Sequence, residues 1–374
     1  MKKRLTIVVA LMVLAAVLMS MLPGCGTTSS TPAAITTPTA TAPPATPKPT
    51  TRTITDMVGR SVTIPTPENI QKVAVLTSPQ IIEMYVIGEQ AKLCAVTNAV
   101  KQWAFLGKID PRIRDLPAVR AQAAQINIEA LLQANPQFCM GSEMDMQVVE
   151  KSTSIPTLQI LTSGKSNYLE AQKNEVKFFG SVFGKEDRAN KYVAYLDNTT
   201  AAVKAATADL AKDKRVKVYM GYNADHLTTF GGDTFMNEWI EAAGCLNAAQ
   251  PVSSLGGKEG GLSTVSMEQI LNWNPDIIVI DNGKPQDVMN DATWSKLAAV
   301  QNKKVYSLPV GMFIWSRTSS EAAAMLPKWL SLTAYPDRIK NTTMDKELKA
   351  FFSEIIGYTL TDADVETILY PQGK

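Results

Sequence analysis

The amino-acid sequence predicts an α/β protein with two similar lobes that are joined by one long α-helix. The first observation is a stretch that occurs twice, since residues 126–143 and 265–282 align without a gap at an offset of 139 residues. The second is that each copy reads as a helix followed by a buried strand, which is half of a βαβ unit. The third is a proline-free segment between the copies, where residues 186–211 predict one helix about 39 Å long.

The two copies carry the same residues where the helix begins and ends. Glu129 and Glu268 lie in the first turn, where a carboxylate complements the positive end of the helix. The pairs Asn135-Pro136 and Asn274-Pro275 end the helix, because the residue before a proline is pushed out of the α region. The apolar run at residues 277–280 then suits a strand buried on both faces of a parallel sheet. Chance similarity is the alternative, since helix–proline–strand junctions are common in α/β proteins.

The composition is that of a globular protein long enough for two domains, with 374 residues, of which 45% are apolar and 19% are charged. A net charge of +2 provides no broad basic surface for nucleic acid. A single histidine and four cysteines without a C-x-x-C spacing argue against a zinc site or a dithiol site. The G-x-S-x-G motif of hydrolases is also missing from the sequence, so we predict neither an enzyme nor a cofactor.

Residues 1–25 read as an export signal, with three basic residues followed by an apolar stretch at residues 5–22. The ending Leu22-Pro23-Gly24-Cys25 resembles a bacterial lipobox, which implies that Cys25 carries a lipid anchor. An uncleaved signal anchor is the alternative, because about 18 apolar residues can span a bilayer. Residues 26–53 are rich in Thr and Pro and predict a disordered tether. In both cases the rest of the protein lies outside the cytoplasm, attached to the cell membrane.

The remaining chain divides into an N-terminal lobe (54–184), a bridging helix (185–213) and a C-terminal lobe (214–374). Periodicity in the first lobe predicts a hairpin at 52–65, strands at 72–77, 92–97 and 157–161, and helices at 80–87 and 145–151. In the second lobe it predicts strands at 215–220 and 304–308, and helices at 236–243, 321–332, 350–357 and 362–369.

Three further motifs resemble one known family. They are the opening Asp56-Met57-Val58-Gly59-Arg60, the element EQILNWNPDIIVI at residues 268–280, and the run from Trp294 to Pro309. In order and spacing they are similar to the class III, or helical-strut, substrate-binding proteins of ABC importers, which serve ferric siderophores, haem and cobalamin. The resemblance implies two Rossmann-like lobes bridged by one helix, and a monomer that holds its ligand in the cleft between the lobes. It also implies that Glu129 and Glu268 dock onto an ABC permease. Helix capping is the alternative role for these two acids.

Ligands of open α/β sheets bind beyond the carboxyl ends of the strands, so the candidate ligand-binding residues are those that follow strands. They are Ser78, Trp103, Phe105, Glu143, Met144, Tyr222, His226, Phe230, Phe313, Trp315 and Arg317. Aromatic side chains on both sides of a cleft can hold a large planar or apolar ligand between them. The resemblance implies that this ligand is a bulky metal chelate such as a ferric siderophore, haem or cobalamin.

Several of these residues have more than one reading. Trp103 and Phe105 either line the cleft or cover the core of the first lobe. Arg317 pairs either with an acidic group of the ligand or with Glu321, and His226 is either an axial ligand of haem or cobalamin or a surface residue.

Two other functions are compatible with the sequence. A molybdate or tungstate oxyanion receptor of the same fold predicts that hydroxyls such as those of Ser78, Ser142 and Thr234 converge on one point. A metal-cluster enzyme with related lobes needs several thiol or imidazole ligands. Cys94, Cys139 and Cys245 lie in or beside predicted strands, so we expect them to be packing residues instead.

Overall fold

The computed structural model describes residues 48–122, 125–160, 167–254 and 261–373. The predicted signal, Cys25 and most of the predicted tether lie outside these ranges. The described residues contain a six-stranded sheet and a separate four-stranded sheet, together with two short two-stranded sheets. The prediction of an α/β fold with two lobes is therefore confirmed.

The N-terminal lobe comprises a hairpin and one sheet with its helices. In chain order its elements are β1 (Thr51–Thr55), β2 (Ser61–Pro65), β3 (Val73–Val75), α1 (Ile81–Val86), β4 (Leu93–Thr97), α2 (Asn98–Lys101), α3 (Ala104–Ile109), β5 (Ala118–Gln122), β6 (Gln125–Ile126), α4 (Ile128–Ala134), β7 (Phe138–Gly141), α5 (Glu143–Ser152) and β8 (Thr157–Gln159). The sheet has the order β6-β5-β4-β3-β7-β8, and all its pairs are parallel except β5–β6.

The hairpin β1–β2 explains the opening motif in physical terms. The Asp56 carboxylate accepts hydrogen bonds from the backbone N–H groups of Val58 and Arg60, and from the Arg60 Nε at 2.7 Å. It also accepts one from the N–H of Gln159, which fixes the hairpin to β8. Because β1 already begins at Thr51, the last three residues of the predicted tether belong to the fold.

The C-terminal lobe repeats the plan with a smaller sheet of order β11-β9-β13-β14, whose pairs are all parallel. Its elements are β9 (Lys217–Gly221), β10 (Thr228–Phe230), α8 (Phe235–Ala242), β11 (Leu246–Asn247), β12 (Leu262–Thr264), α9 (Met267–Trp273), β13 (Ile277–Ile280), α10 (Pro285–Asn290), α11 (Ala298–Gln301), β14 (Val305–Ser307), α12 (Ser320–Ala334), α13 (Met344–Phe351) and α14 (Asp362–Leu369). The helix predicted at 350–357 is in fact the end of α13 and a following π-helical turn. The helix begins earlier because Thr343 caps it.

The repeated stretch has the same local structure in both lobes. Helices α4 and α9 each have seven residues, and each ends at an asparagine in the left-handed conformation, Asn135 with φ 50° and Asn274 with φ 43°. Strands β7 and β13 then begin at corresponding positions of the repeat. The similarity is therefore structural, and chance resemblance of the two stretches does not explain it.

Between the lobes lie two helices, α6 (Tyr168–Phe183) and α7 (Glu186–Thr207). Helix α7 has 22 residues and is thus about 33 Å long. It packs against both α6 and α12 of the C-terminal lobe, and it corresponds to the predicted bridging helix. It ends at Thr207, before the predicted end at residue 211.

Alternating residues of the central strands divide the core by sheet face. In the C-terminal sheet, Val218 and Met220 belong to a cluster that runs through both lobes and α7, whereas Tyr219 belongs to a separate cluster on the other face. In the N-terminal sheet, Val73 belongs to the same shared cluster, whereas Ala74 belongs to a separate cluster on the opposite face. Each sheet is thus buried on both faces, and the two lobes share one continuous core.

A polar cluster is buried where the lobes meet. The Glu83 carboxylate on α1 accepts a hydrogen bond from Gln172 of α6 at 2.9 Å, and a second one from the backbone N–H of Ser320 at the start of α12. The Tyr192 hydroxyl on α7 donates to the Ser320 carbonyl. Glu175 of α6 is also buried, and its charge raises the pKa of Tyr192 in addition to the larger effect of burial. We call these five residues the Glu83 cluster, and they join four helices from both lobes.

Candidate functional site

The carboxyl ends of the two sheets present hydroxyl groups at equivalent positions. Strand β3 pairs with β7 in the N-terminal sheet in the same way as β9 pairs with β13 in the C-terminal sheet. Because β7 and β13 belong to the two copies of the repeat, their pairing registers align β3 with β9 and place Thr77 and Tyr222 at equivalent positions. Both side chains are buried, and neither hydroxyl has a hydrogen-bond partner among the described residues. A buried hydroxyl without a partner costs free energy, so this matched pair, one in each lobe, is the candidate for a ligand-binding position.

On the N-terminal side, further polar groups adjoin Thr77. The Ser78 and Thr97 hydroxyls lie 2.6 Å apart and form a hydrogen bond. Arg120, on β5 beside Thr97, has its Nε 2.9 Å from a carboxylate oxygen of the buried Asp145. The two side chains therefore form an ion pair at the carboxyl edge of the N-terminal sheet. The Ser142 hydroxyl donates to the other oxygen of Asp145 at 2.7 Å.

On the C-terminal side, Asp281 follows β13 at the position equivalent to Ser142. Its Oδ1 atom is buried and has no partner in the described part of the chain. Burial raises the pKa of Asp281 to about 6, against the opposing effects of the Arg317 charge and the backbone N–H of Asn223. Burial also raises the pKa of Tyr222, which Asp281 raises further and Arg317 lowers. Asp281, Tyr222 and Arg317 therefore form one electrostatic group at this edge of the sheet.

Arg317 itself is exposed, and its guanidinium donates to the carbonyl of Ser316 at 2.9 Å. It is not bound to Glu321, which was the predicted alternative. The fully buried Glu321 accepts hydrogen bonds from the backbone N–H of Met312 and from the Trp315 indole at 3.1 Å. Arg317 is thus free of a direct carboxylate hydrogen bond in the described ranges.

Most of the predicted aromatic residues pack into the core. Trp315 has no exposed surface, and Phe230 packs between Tyr222 and Phe235. Phe105 is buried against rings of the C-terminal helical region, namely Phe352 and Tyr358. These three rings therefore contact protein side chains, and for Phe105 this agrees with the alternative that it covers the core. Near Trp315 the loop after β14 folds back on itself. The fold in this loop is marked by the β-bridge between Val310 and Ile314.

A further aromatic pair connects the lobes. The half-buried ring of Trp103 packs edge-on against Phe313, with ring centroids 5.1 Å apart. The Trp103 indole N–H is buried and has no partner among the described residues. Near the cleft-facing end of α5, Met144 is 52% exposed, and the exposed Glu143 accepts a hydrogen bond from Gln147.

His226 is not a surface residue. It adopts a left-handed conformation with φ 56°, it is buried, and its ring packs against Trp294. Burial lowers the pKa of His226, so the imidazole is neutral at pH 7, and its Nδ1 atom has no partner in the described ranges. Within those ranges, no group of three or more His, Cys, Asp or Glu side chains is arranged to hold a metal ion.

The cysteines have the environment of packing residues. Cys139 and Cys245 are fully buried and Cys94 is half-buried, and all three are free thiols. Burial raises the pKa of Cys139 and of Cys245 to about 12, so these thiols are unreactive at neutral pH.

The hydroxyls expected to converge in an oxyanion receptor are only partly available. Ser78 lies at the carboxyl edge as expected, but Ser142 is engaged with Asp145, and Thr234 donates to the Gly231 carbonyl at 2.8 Å.

The sequence analysis did not identify Thr97, Arg120 and Asp281. Asp281 was detectable, because the repeat aligns it with Ser142. Arg120 carried no such signal, because β5 was not predicted as a strand.

Comparison with known proteins identifies the family. The pattern of a family described as "Periplasmic binding protein" matches residues 73–310. The chain belongs to this family. A relative is the molybdate-binding protein MolA of Haemophilus influenzae, which is 26% identical over 330 residues, covering 81% of this chain and 90% of that protein. The iron-uptake system-binding protein of Bacillus subtilis is 25% identical over 285 residues, covering 70% and 82%.

Solved structures agree with this assignment at the level of the fold. A periplasmic solute binding protein from Veillonella parvula superposes with a TM-score of 0.73 at 24% identity, covering 85% of this chain and 97% of that chain. The protein is accordingly an extracytoplasmic substrate-binding protein of an ABC transporter. Members of the family bind small-molecule ligands and deliver them to an ABC permease. Its relatives are periplasmic binding proteins and not enzymes. No helix in the described ranges is long and apolar enough to cross a membrane.

Proposed function

We propose that this protein captures a tetrahedral oxyanion of the molybdate or tungstate class between its lobes and delivers it to an ABC permease. The observation that carries the proposal is the matched pair of buried, unpartnered hydroxyls, Thr77 in one lobe and Tyr222 in the other. Oxyanion oxygens accept hydrogen bonds and need positive charge nearby. Arg317 supplies that charge at the C-terminal edge, whereas Arg120 at the N-terminal edge is ion-paired with Asp145. The relationship to MolA supports the same substrate class.

A metal chelate is the second candidate, in the form of a ferric siderophore, haem or cobalamin. The Trp103–Phe313 contact and the exposed Met144 offer apolar surface for a chelate, and a relative is an iron-uptake binding protein. We rank this candidate second because Phe105, Phe230 and Trp315 are packed into the core, which leaves little aromatic surface for a large planar ligand.

Titration calorimetry on the full chain in detergent separates the two candidates. Molybdate and tungstate should bind, whereas sulfate, a ferric hydroxamate, haem and cyanocobalamin should bind weakly or not at all. The double variant Thr77→Val/Tyr222→Phe should lose roughly a hundredfold or more in affinity, since each hydrogen bond to a charged ligand contributes about 1.5–3 kcal/mol. The control is Thr207→Val, which removes a buried hydroxyl that bonds only within α7. Tight chelate binding without oxyanion binding would reverse the ranking.

Glu129 and Glu268 are proposed to dock onto the permease. Both are exposed, and neither forms an ion pair with any described residue. Their helices are already capped by Asn127 and by Ser266, whose hydroxyl and partner Gln269 form a capping box. The acids are therefore not needed as caps, which favours a partner that carries positive charge.

Charge reversal tests this docking role. Glu129→Lys/Glu268→Lys should abolish uptake in cells while oxyanion affinity of the purified protein stays unchanged. The control is Glu186→Lys/Asp345→Lys, which reverses two other exposed acids in first helical turns. Uptake that survives in the first variant, or fails equally in the second, would contradict the role.

We further propose that Cys25 carries the lipid anchor and that the Thr/Pro-rich segment after it tethers the lobes to the membrane. Replacement of Cys25 by Ser should release the protein from the membrane fraction and remove the mass of the lipid. Retention on the membrane with an intact N-terminus would instead indicate an uncleaved signal anchor.

A further inference from the structure

Asp281 holds a carboxylate oxygen without a donor inside the candidate anion site. It stands at the carboxyl end of β13, where the equivalent residue of the other lobe is the hydroxyl-bearing Ser142. Its Oδ1 atom is buried and unpartnered in the described part of the chain. An oxyanion site made only of donors would not contain such a group, because two anions in contact repel each other.

The groups around Asp281 provide too little positive charge for two anions. Arg317 is the cation whose charge acts on it, Tyr222 is a neutral phenol, and the backbone N–H of Asn223 is a further donor. In the adjoining loop, His226 is neutral because burial lowers its pKa, and it faces the acids Asp225 and Asp287. A dianion beside Asp281 must therefore share Arg317 with it or neutralise it.

We propose that Asp281 couples oxyanion capture to the uptake of one proton. In the complex the protonated carboxyl group donates its O–H to a ligand oxygen, and Arg317 is left to pair with the anion. No covalent bond other than the O–H bond of Asp281 is formed, and the proton comes from solvent. This inference rests on the proposed oxyanion function, and it adds that ligand affinity is set by pH at this one residue.

The proposed coupling predicts the direction in which oxyanion affinity changes with pH. Burial raises the pKa of Asp281 to about 6 in the free protein, and a bound dianion raises it further. Oxyanion affinity should therefore increase as the pH falls from about 8 to about 6, by up to about tenfold per unit. A cationic ligand would instead stabilise the ionised carboxylate, and its affinity would weaken over the same interval.

The experiment is calorimetry with micromolar molybdate and tungstate on the full chain between about pH 6 and about pH 8. Titration in two buffers of different ionisation enthalpy gives the number of protons taken up. The wild type should take up close to one proton near the upper end of this interval. Asp281→Asn, which mimics the protonated acid, should bind with little pH dependence and at least as tightly as the wild type at the upper end. The control Asp225→Asn changes a neighbouring exposed acid and should retain the wild-type slope.

Three outcomes overturn the inference. Oxyanion binding by the wild type without proton uptake contradicts the coupling and leaves the proposed function intact. The same pH slope in wild type and Asp281→Asn assigns the proton to another group. Absence of oxyanion binding at every pH refutes the proposed function and this inference with it. The proton count of the wild type decides the matter even if Asp281→Asn does not fold.

Discussion

Replacement of Glu83 by Gln should change how the stability of the protein depends on pH. Glu83 is fully buried at the lobe interface, where Gln172 and the Ser320 N–H donate to it, and its Oε2 atom has no partner in the described ranges. Glu175, a second buried acid, lies close enough that the charge on Glu83 raises the pKa of Glu175, beyond the larger effect of burial. Two buried carboxylates without a cation favour the protonated state.

The size of the effect follows from the pKa of Glu83. Burial raises it from 4.5 to about 8, against the opposing hydrogen bonds from Ser320 and Gln172. In the unfolded chain this carboxyl group loses its proton above its ordinary pKa, whereas the folded protein retains the proton until about pH 8. The contribution of the protonated Glu83 to the free energy of unfolding is therefore fully present below the ordinary pKa of 4.5, and it is lost as the pH rises from there to about 8. At about 1.36 kcal/mol per unit, the loss is on the order of 5 kcal/mol.

The assay is urea unfolding followed by far-UV circular dichroism at several pH values between about 5 and about 9. Relative to the wild type, Glu83→Gln should gain free energy of unfolding as the pH rises, since its amide cannot ionise. Glu321, which lies outside the Glu83 cluster, contributes equally to both proteins and cancels in the difference. Glu175 does not cancel, because the substitution removes the Glu83 charge that raises its pKa, and this change acts in the same direction. The control Glu186→Gln alters an exposed acid and should leave the slope unchanged. Parallel pH profiles for Glu83→Gln and the wild type would refute the reasoning.

Two further substitutions test the packing. Asp56→Asn should lower the free energy of unfolding by roughly 2 kcal/mol in urea unfolding, because an amide nitrogen would face the donors of Arg60 and Gln159. An unchanged free energy of unfolding would contradict the anchoring role of the opening motif. Gly311→Ala should cost roughly 3 kcal/mol in thermal or urea unfolding, because the new Cβ would lie 1.6 Å from Glu321 Oε1. The control Gly59→Ala meets open space at φ 88° and should cost roughly 1 kcal/mol, so equal losses would refute the steric argument.

Short-range sequence patterns were sufficient to predict the two lobes and most of their helices and strands. The repeat placed both helices and both central strands in corresponding positions, because Asn-Pro and an apolar run determine structure within a few residues. Helix α14 was predicted with the bounds that it has, Asp362–Leu369, since Thr361 caps it and a turn follows. Helix α13 was placed too late, because its start depends on the cap at Thr343, which the apolar pattern does not reveal.

The site was less predictable, because side-chain direction after a strand depends on tertiary contacts. Trp315 follows a strand and was expected in the cleft, but the bridge at Val310 turns the loop back and the indole bonds to Glu321. Arg120 was not considered, because AVRAQ has no strong strand pattern, and only pairing with β4 places it at the carboxyl edge. Thr77 and Tyr222 became a matched pair only when the registers of both sheets were known.

Crystals of the protein grown with tungstate provide the most direct test of oxyanion capture between the lobes, because the tungsten atom gives an anomalous signal that locates it without ambiguity. We expect a single strong peak between the two sheets, with oxygens in hydrogen-bond contact with the hydroxyls of Thr77 and Tyr222. An empty cleft at saturating tungstate, or a peak confined to surface lysines, would contradict the proposed function.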